Sequence, residues 1–273
     1  MAPRDDKRPF TFLLYAKVIG IYLIVLGHGC VTPETKQWIF SFHVPLFFVV
    51  SGMLWYPQPV LSNLRKSLRT ILLPYLTINA VRLVIDLFLL LYQHSLSAEA
   101  VLARLGAIAL GLGYAKSSFI PVCMPSWFLY SLFVIRFLVS LCKESSHLVI
   151  LVLAALGISF TLRNLGVDLI VPIDSALLSL PFFVFGFWFK KKILYEDTNE
   201  NSFCRSIISA VIILLLVPIV RYNGYVDINL LCTGRNVLLF YGIAFVESLC
   251  VINICKVFSM GGGTFYLQFQ RVQ

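Results

Sequence analysis

Phe10–Cys30 reads FTFLLYAKVIGIYLIVLGHGC, an apolar run whose basic residues are Lys17 and His28. A bilayer core is crossed by about 20 apolar helical residues, so this stretch is long enough to span. The charged start MAPRDDKRPF resembles a signal peptide, but Lys17 interrupts the run and no small-residue cleavage site follows, so an uncleaved first span is expected. The rest of the chain agrees with it. Of 273 residues 59% are hydrophobic and 13% charged, and the mean hydropathy is +0.88, beyond what a water-soluble globule carries. The composition specifies an all-α integral membrane protein whose partner is the lipid bilayer.

The length has room for about eight or nine spans and for no separate soluble domain, so residues 1–273 are read as one membrane domain. Apolar segments fall at Phe10–Cys30, Trp38–Trp55, Thr70–Tyr92, Trp127–Cys142, Leu148–Leu162, Ala176–Phe189, Ile207–Arg221 and Asn236–Phe258. Val101–Tyr114 is shorter and Gly-rich, as suits an outside re-entrant or interfacial helix. After Phe258, SMGGGTFYLQFQRVQ predicts a Gly-rich turn and a partial ninth helix, and the polar loop Tyr195–Ser206 is the most linker-like segment.

A net charge of +9 would raise nucleic acid in a soluble protein. In a membrane protein it reports cytoplasmic loops, and no nucleic-acid partner is expected. With an inside N-terminus, Arg4, Lys7, Arg8, Arg65, Lys66, Arg69, Lys143, Lys190, Lys191, Lys192, Arg205, Lys256 and Arg271 lie inside. Only Lys36, Arg104, Lys116, Arg163, Arg221 and Arg235 lie outside. Counting Val101–Tyr114 as a span would place Lys190–Lys192 outside, against the positive-inside rule. The seven cysteines form no CxxC pair and no His spacing of a zinc site, so no metal is expected. Cys30, Cys123 and Cys232 fall outside the membrane, which leaves a disulfide among them open.

An ionisable group near the bilayer centre costs roughly 2.5–3.5 kcal/mol, so each one needs a partner, a cavity or a function. Lys17 and His28 are eleven residues apart and share one face of a helix, about 16 Å apart along its axis. Either Lys17 snorkels to the interface and His28 is a helix-end hydrogen bonder, or the two line a path. His43 in IFSFHVPLFFVVSG lies beyond a hairpin turn placed around Pro33–Lys36, at a depth similar to that of His28. Two imidazoles facing one cavity suit proton transfer from a hydroxyl. The alternative for His43 is a ring satisfied by the carbonyl that Pro45 frees.

Arg65, Lys66 and Arg69 stand at the inner mouth of the third span. They are either a topology signal or the holders of the phosphates of a cofactor such as coenzyme A. No Gly-rich phosphate loop is present. Arg82 and Asp86, i and i+4 in the third span, are expected to pair structurally, with a positioning role second. The outside loop YNGYVDINLLCT, Tyr222–Thr233, offers Asn223, Asp227 and Asn229 to a sugar or other polyol.

KVIGIYLIVLGH (17–28), FSFHVPLFFVVSGML (40–54), KSLRTILLPYL (66–76), SWFLYSLF (126–133), LPFFVFGFWFKKK (180–192) and NGYVDINL (223–230) together resemble the acyltransferase-3 family of membrane O-acyltransferases, in its fucose-acetylase-like branch. The resemblance implies transfer of an acyl group, commonly acetyl, from cytosolic acyl-CoA to a hydroxyl of a cell-surface glycan or its lipid-linked precursor. It implies that Lys17 and His28 are the family's first-span basic residue and histidine, that Lys66 and Arg69 are its cytosolic basic motif, and that His43 is its second-span histidine. His28 and His43 are then the catalytic candidates, and Lys17, Lys66 and Arg69 the donor-binding ones. The family's usual Asp before the basic residue is absent from LLYAK, and the final one or two spans of the family are expected to be missing. A transporter or flippase of a glycan-related solute, or an inactive remnant, would share the same intramembrane charges.

Overall fold

The computed structural model describes residues 11–111, 126–166, 172–195 and 202–270, with 193–195, 202 and 260–270 described by backbone alone. Arg4, Lys7, Arg8, Lys116, Cys123, Arg271 and part of the linker-like loop lie outside the described residues. The helices are α1 (Thr11–His28), α2 (Pro33–Met53), α3 (Val60–Ser67), α4 (Leu73–Tyr92), α5 (Ala98–Leu110), α6 (Trp127–Leu141), α7 (Ser145–Leu165), α8 (Ile173–Tyr195), α9 (Ser202–Asn223) and α10 (Val237–Gln270). A π-helical turn, Leu68–Leu72, joins α3 to α4, and two short strands, β1 (Val226–Asp227) and β2 (Cys232–Thr233), pair in the loop before α10.

Each apolar segment forms a helix, and most helices extend beyond their apolar stretch into the polar flanks. Pro33 is not in a turn but opens α2, where its fixed φ suits the first helical position. The Thr32 hydroxyl accepts from Thr35 N at 3.3 Å, so the turn is Gly29–Thr32. The helix expected at Val101–Tyr114 is α5, which begins three residues earlier because the Ser97 hydroxyl caps Ala100 N at 3.1 Å, and it ends at Gly111 in the left-handed region. Residues 260–270, expected as a turn and a partial ninth helix, continue α10. A glycine costs a helix about 1 kcal/mol, and no proline stands there to force an end.

Among the described residues six helices are long and apolar enough to cross a membrane, with Val60–Tyr92 counted as one, and Trp127–Leu141 is a shorter apolar helix. α2 is not among the six, although Trp38–Trp55 is expected to span. The 21 residues of α2 begin with the polar PETKQ and carry Ser41 and His43 on the packed side. Cys30, Cys142, Cys204, Cys232, Cys250 and Cys255 are thiols.

The chain divides into two compact units. The first holds Met1–Trp55, Phe185–Val226 and Thr233–Gln273. Its core is one face of each of three helices. α1 buries Leu13, Ala16, Gly20, Leu23 and Gly27, steps of three and four that trace a coiled-coil-like seam. α2 buries Ile39, Phe42, Leu46, Val49 and Met53, and α10 buries Phe240, Ala244, Glu247 and Val251. Lipid is as apolar as leucine, so close packing rather than water exclusion holds such helices together, and small residues permit it. A Cβ on Gly186 of α8 would collide with the backbone carbonyl of Val49, so α8 lies backbone to backbone on α2 there. Lys190 Nζ donates to Trp55 O at 3.0 Å and closes the end of the same contact.

The second unit is Tyr56–Val184 with Asp227–Cys232. In it α3 packs on α6, where Asn63 Nδ2 donates to Arg136 O at 2.8 Å, and the Tyr75 hydroxyl donates to Ile108 O at 2.7 Å.

Candidate active site

His28 is the last residue of α1, and its height is set by the seam. A Cβ on Gly27 would stand 3.1 Å from both Ile39 and Phe40, so the end of α1 abuts α2 at residues 39–40. The rings of His28 and Phe40 lie 5.7 Å apart and those of Phe40 and His43 4.9 Å apart. Phe40 therefore touches both imidazoles, and His43 stands about one turn, roughly 5 Å, deeper along α2 than the level of His28. Tyr225 packs on Phe40 at 5.5 Å, and Lys36 Nζ lies 5.5 Å from the centre of the same ring.

The hydrogen bonds fix the tautomers. His28 Nδ1 is 2.8 Å from Ile24 O and His43 Nδ1 is 2.7 Å from Ile39 O. A carbonyl only accepts, so each Nδ1 carries a proton. The neutral ring then keeps its lone pair on Nε2, to which no described residue donates. With Nε2 an acceptor on both neutral rings, no hydrogen bond joins His28 to His43. His43 is not held by the carbonyl that Pro45 frees, which is that of Ser41. His28 is exposed and His43 buried. Lys17 is half-buried on the face of α1 that carries His28.

The loop candidates have different uses. Asn223 is buried, its Nδ2 donates to Thr233 O at 3.1 Å, and its Oδ1 accepts from Asn236 N at 3.0 Å. These bonds tie its amide to the loop's own backbone, so it shapes the loop. Asp227 Oδ1 accepts from Asn229 N at 3.0 Å and caps the single turn Ile228–Leu230.

In the second unit Lys66 and Arg69 are exposed and straddle the junction between α3 and the π-helical turn. Such turns recur at functional sites because they re-aim the side chains that follow. On the inner face beneath them Asn63 Oδ1, Ser67 Oγ and Arg136 Nε are buried without a hydrogen-bond partner. Arg82 Nε and Asp86 Oδ1 are 2.9 Å apart, with Asp86 buried and Arg82 partly exposed. Asn79, fully buried one turn before Arg82, donates to Tyr75 O at 2.9 Å and Ser126 Oγ at 3.0 Å.

Glu247 escaped the sequence reading. It is fully buried in α10, with Oε1 3.0 Å from Trp38 Nε1 and Oε2 2.7 Å from Ser41 Oγ. The signal was present, since Glu247 is the single acidic residue of α10 and the rule that singled out Lys17 applies to it equally.

No curated protein and no solved structure matches the chain. Residues 10–259, which include every helix from α1 to α9 and most of α10, match the family described as "Acyltransferase domain", third type. Spans, paired histidines and basic motif thus sit within the matched region, and the chain belongs to the acyltransferase-3 family.

Proposed function

We propose that this membrane acyltransferase is an O-acetyltransferase that takes its acyl group from acetyl-CoA or another acyl-CoA and gives it to a hydroxyl of a cell-surface polysaccharide or its lipid-linked precursor. The observation that carries the reading is the tautomer of His28. Its Nδ1–H is anchored on its own helix, and its Nε2 lone pair stands at an exposed helix end. Such a nitrogen is a general base. It removes the proton of the acceptor hydroxyl as that oxygen attacks the thioester carbonyl. The tetrahedral intermediate then expels the CoA thiolate, which recovers the proton from the imidazolium. His43, buried behind Phe40 and itself an acceptor at Nε2, serves to position this wall.

Lys66 and Arg69 are the proposed holders of the CoA phosphates, since exposed cations form charge-assisted hydrogen bonds to phosphate. Lys17 is a proposed contact of the pantetheine arm, and the loop shaped by Asn223 and Asp227 a proposed acceptor contact. Single-turnover transfer in lipid, followed as CoA release from radiolabelled acetyl-CoA, tests the reading. His28→Ala is expected to lower release by about 10²-fold or more. Undiminished release from His28→Ala would remove His28 as the base, and no release from folded wild-type protein with any acyl-CoA would leave a transport role or an inactive remnant.

A further inference from the structure

Glu247, Trp38 and Ser41 form a polar contact inside the first unit, between α10 and α2, and its hydrogens can be counted. Ser41 Oγ lies 2.6 Å from Trp38 O and 2.7 Å from Glu247 Oε2, while Trp38 Nε1 donates to Glu247 Oε1 at 3.0 Å. A serine hydroxyl carries one hydrogen. Were Glu247 ionised, that hydrogen could serve only one of two close oxygens, and the other contact would set lone pair against lone pair. The partners that hold the carboxyl group, the Trp38 indole and the Ser41 hydroxyl, are both neutral. An isolated buried charge is the costliest group a protein interior can hold, and such a group neutralises instead.

One extra proton satisfies every atom. Glu247 Oε2–H donates to Ser41 Oγ, Ser41 Oγ–H donates to Trp38 O, and Trp38 Nε1–H donates to the carbonyl oxygen Oε1. We propose that Glu247 is a neutral carboxylic acid that clasps α2 at Trp38 and Ser41 and thereby positions the turn carrying His43 and Phe40. The two anchors bracket Ile39, whose carbonyl holds His43 Nδ1, and Phe40, which touches both imidazoles. Glu247 is a positioning residue. The functional half of this assignment rests on the proposed acyl transfer, while the protonation half does not.

Infrared difference spectroscopy of the full chain in lipid tests it, comparing wild type with Glu247→Gln. The expected result is a carbonyl stretch of a protonated carboxylic acid that is present in wild type and lost in the variant. Its absence overturns the proposal whether or not the protein transfers acyl groups. A glutamine amide donates to Ser41 and accepts from Trp38 as the neutral acid does, so Glu247→Gln is expected to keep acyl transfer and thermal stability near wild type. Glu247→Ala is expected to lower transfer about tenfold or more by releasing α2. Loss of transfer in a folded Glu247→Gln would show that the charge matters and would also overturn the proposal.

Discussion

Asn223 shows how one side chain can look like a ligand contact and act as a brace. It sits among Tyr222, Asp227 and Asn229, a composition suited to a polyol, yet both ends of its amide bind the backbone at Thr233 and Asn236. A buried group left without its partner costs about 1–3 kcal/mol. Asn223→Ala is therefore expected to destabilise the protein by an amount in that range, read as a lower melting temperature in detergent by circular dichroism. If Asn223 instead touched the acceptor, the variant would melt normally and lose acceptor affinity. His28 and His43 teach the complementary lesson. Their spacing and types are visible in the chain, but the proton positions that make each Nε2 an acceptor follow from the carbonyls of Ile24 and Ile39.

Helices α2 and α8 meet without side chains between them at Gly186, where the facing atom is the carbonyl of Val49. A methyl group there has nowhere to go, because neither backbone can move within its own helix. Gly186→Ala is expected to destabilise the protein by about 1–3 kcal/mol, the usual cost of overpacking, seen as a lower melting temperature. A variant as stable as wild type would mean that α8 stands off from α2. The π-helical turn at Leu68–Leu72 was not legible in NLRKSLRTILL. Nothing in the residue types distinguishes it from an α-helix, since the extra residue is accommodated by packing against α6. Its consequence is that Lys66 and Arg69 leave the helix from two different turn geometries.

Across the whole chain the distribution of lysine and arginine predicts an orientation, with the N-terminus and Lys190–Lys192 on the cytoplasmic side. Cys30 is exposed beyond the end of α1. With the other cysteines changed to serine, a membrane-impermeant maleimide is expected to label Cys30 on intact cells, and a Lys191→Cys variant lacking native cysteines only after permeabilisation. The reverse pattern would invert the topology. Membrane class, approximate helix positions and the Lys17, His28 and Lys66, Arg69 spacings were all accessible from residue order. Insertion into lipid depends on the composition of each local stretch, and a helix repeats with a fixed period. The folded chain alone decided the rest: that α10 continues through its glycines, that Asn223 faces inward, that Phe40 lies against both histidines, and that Glu247 meets Trp38 and Ser41 across more than 200 residues of chain. Which polar groups meet depends on how each helix is rotated and how closely its neighbour approaches. Those quantities come from packing between distant segments, and no local stretch of sequence contains them.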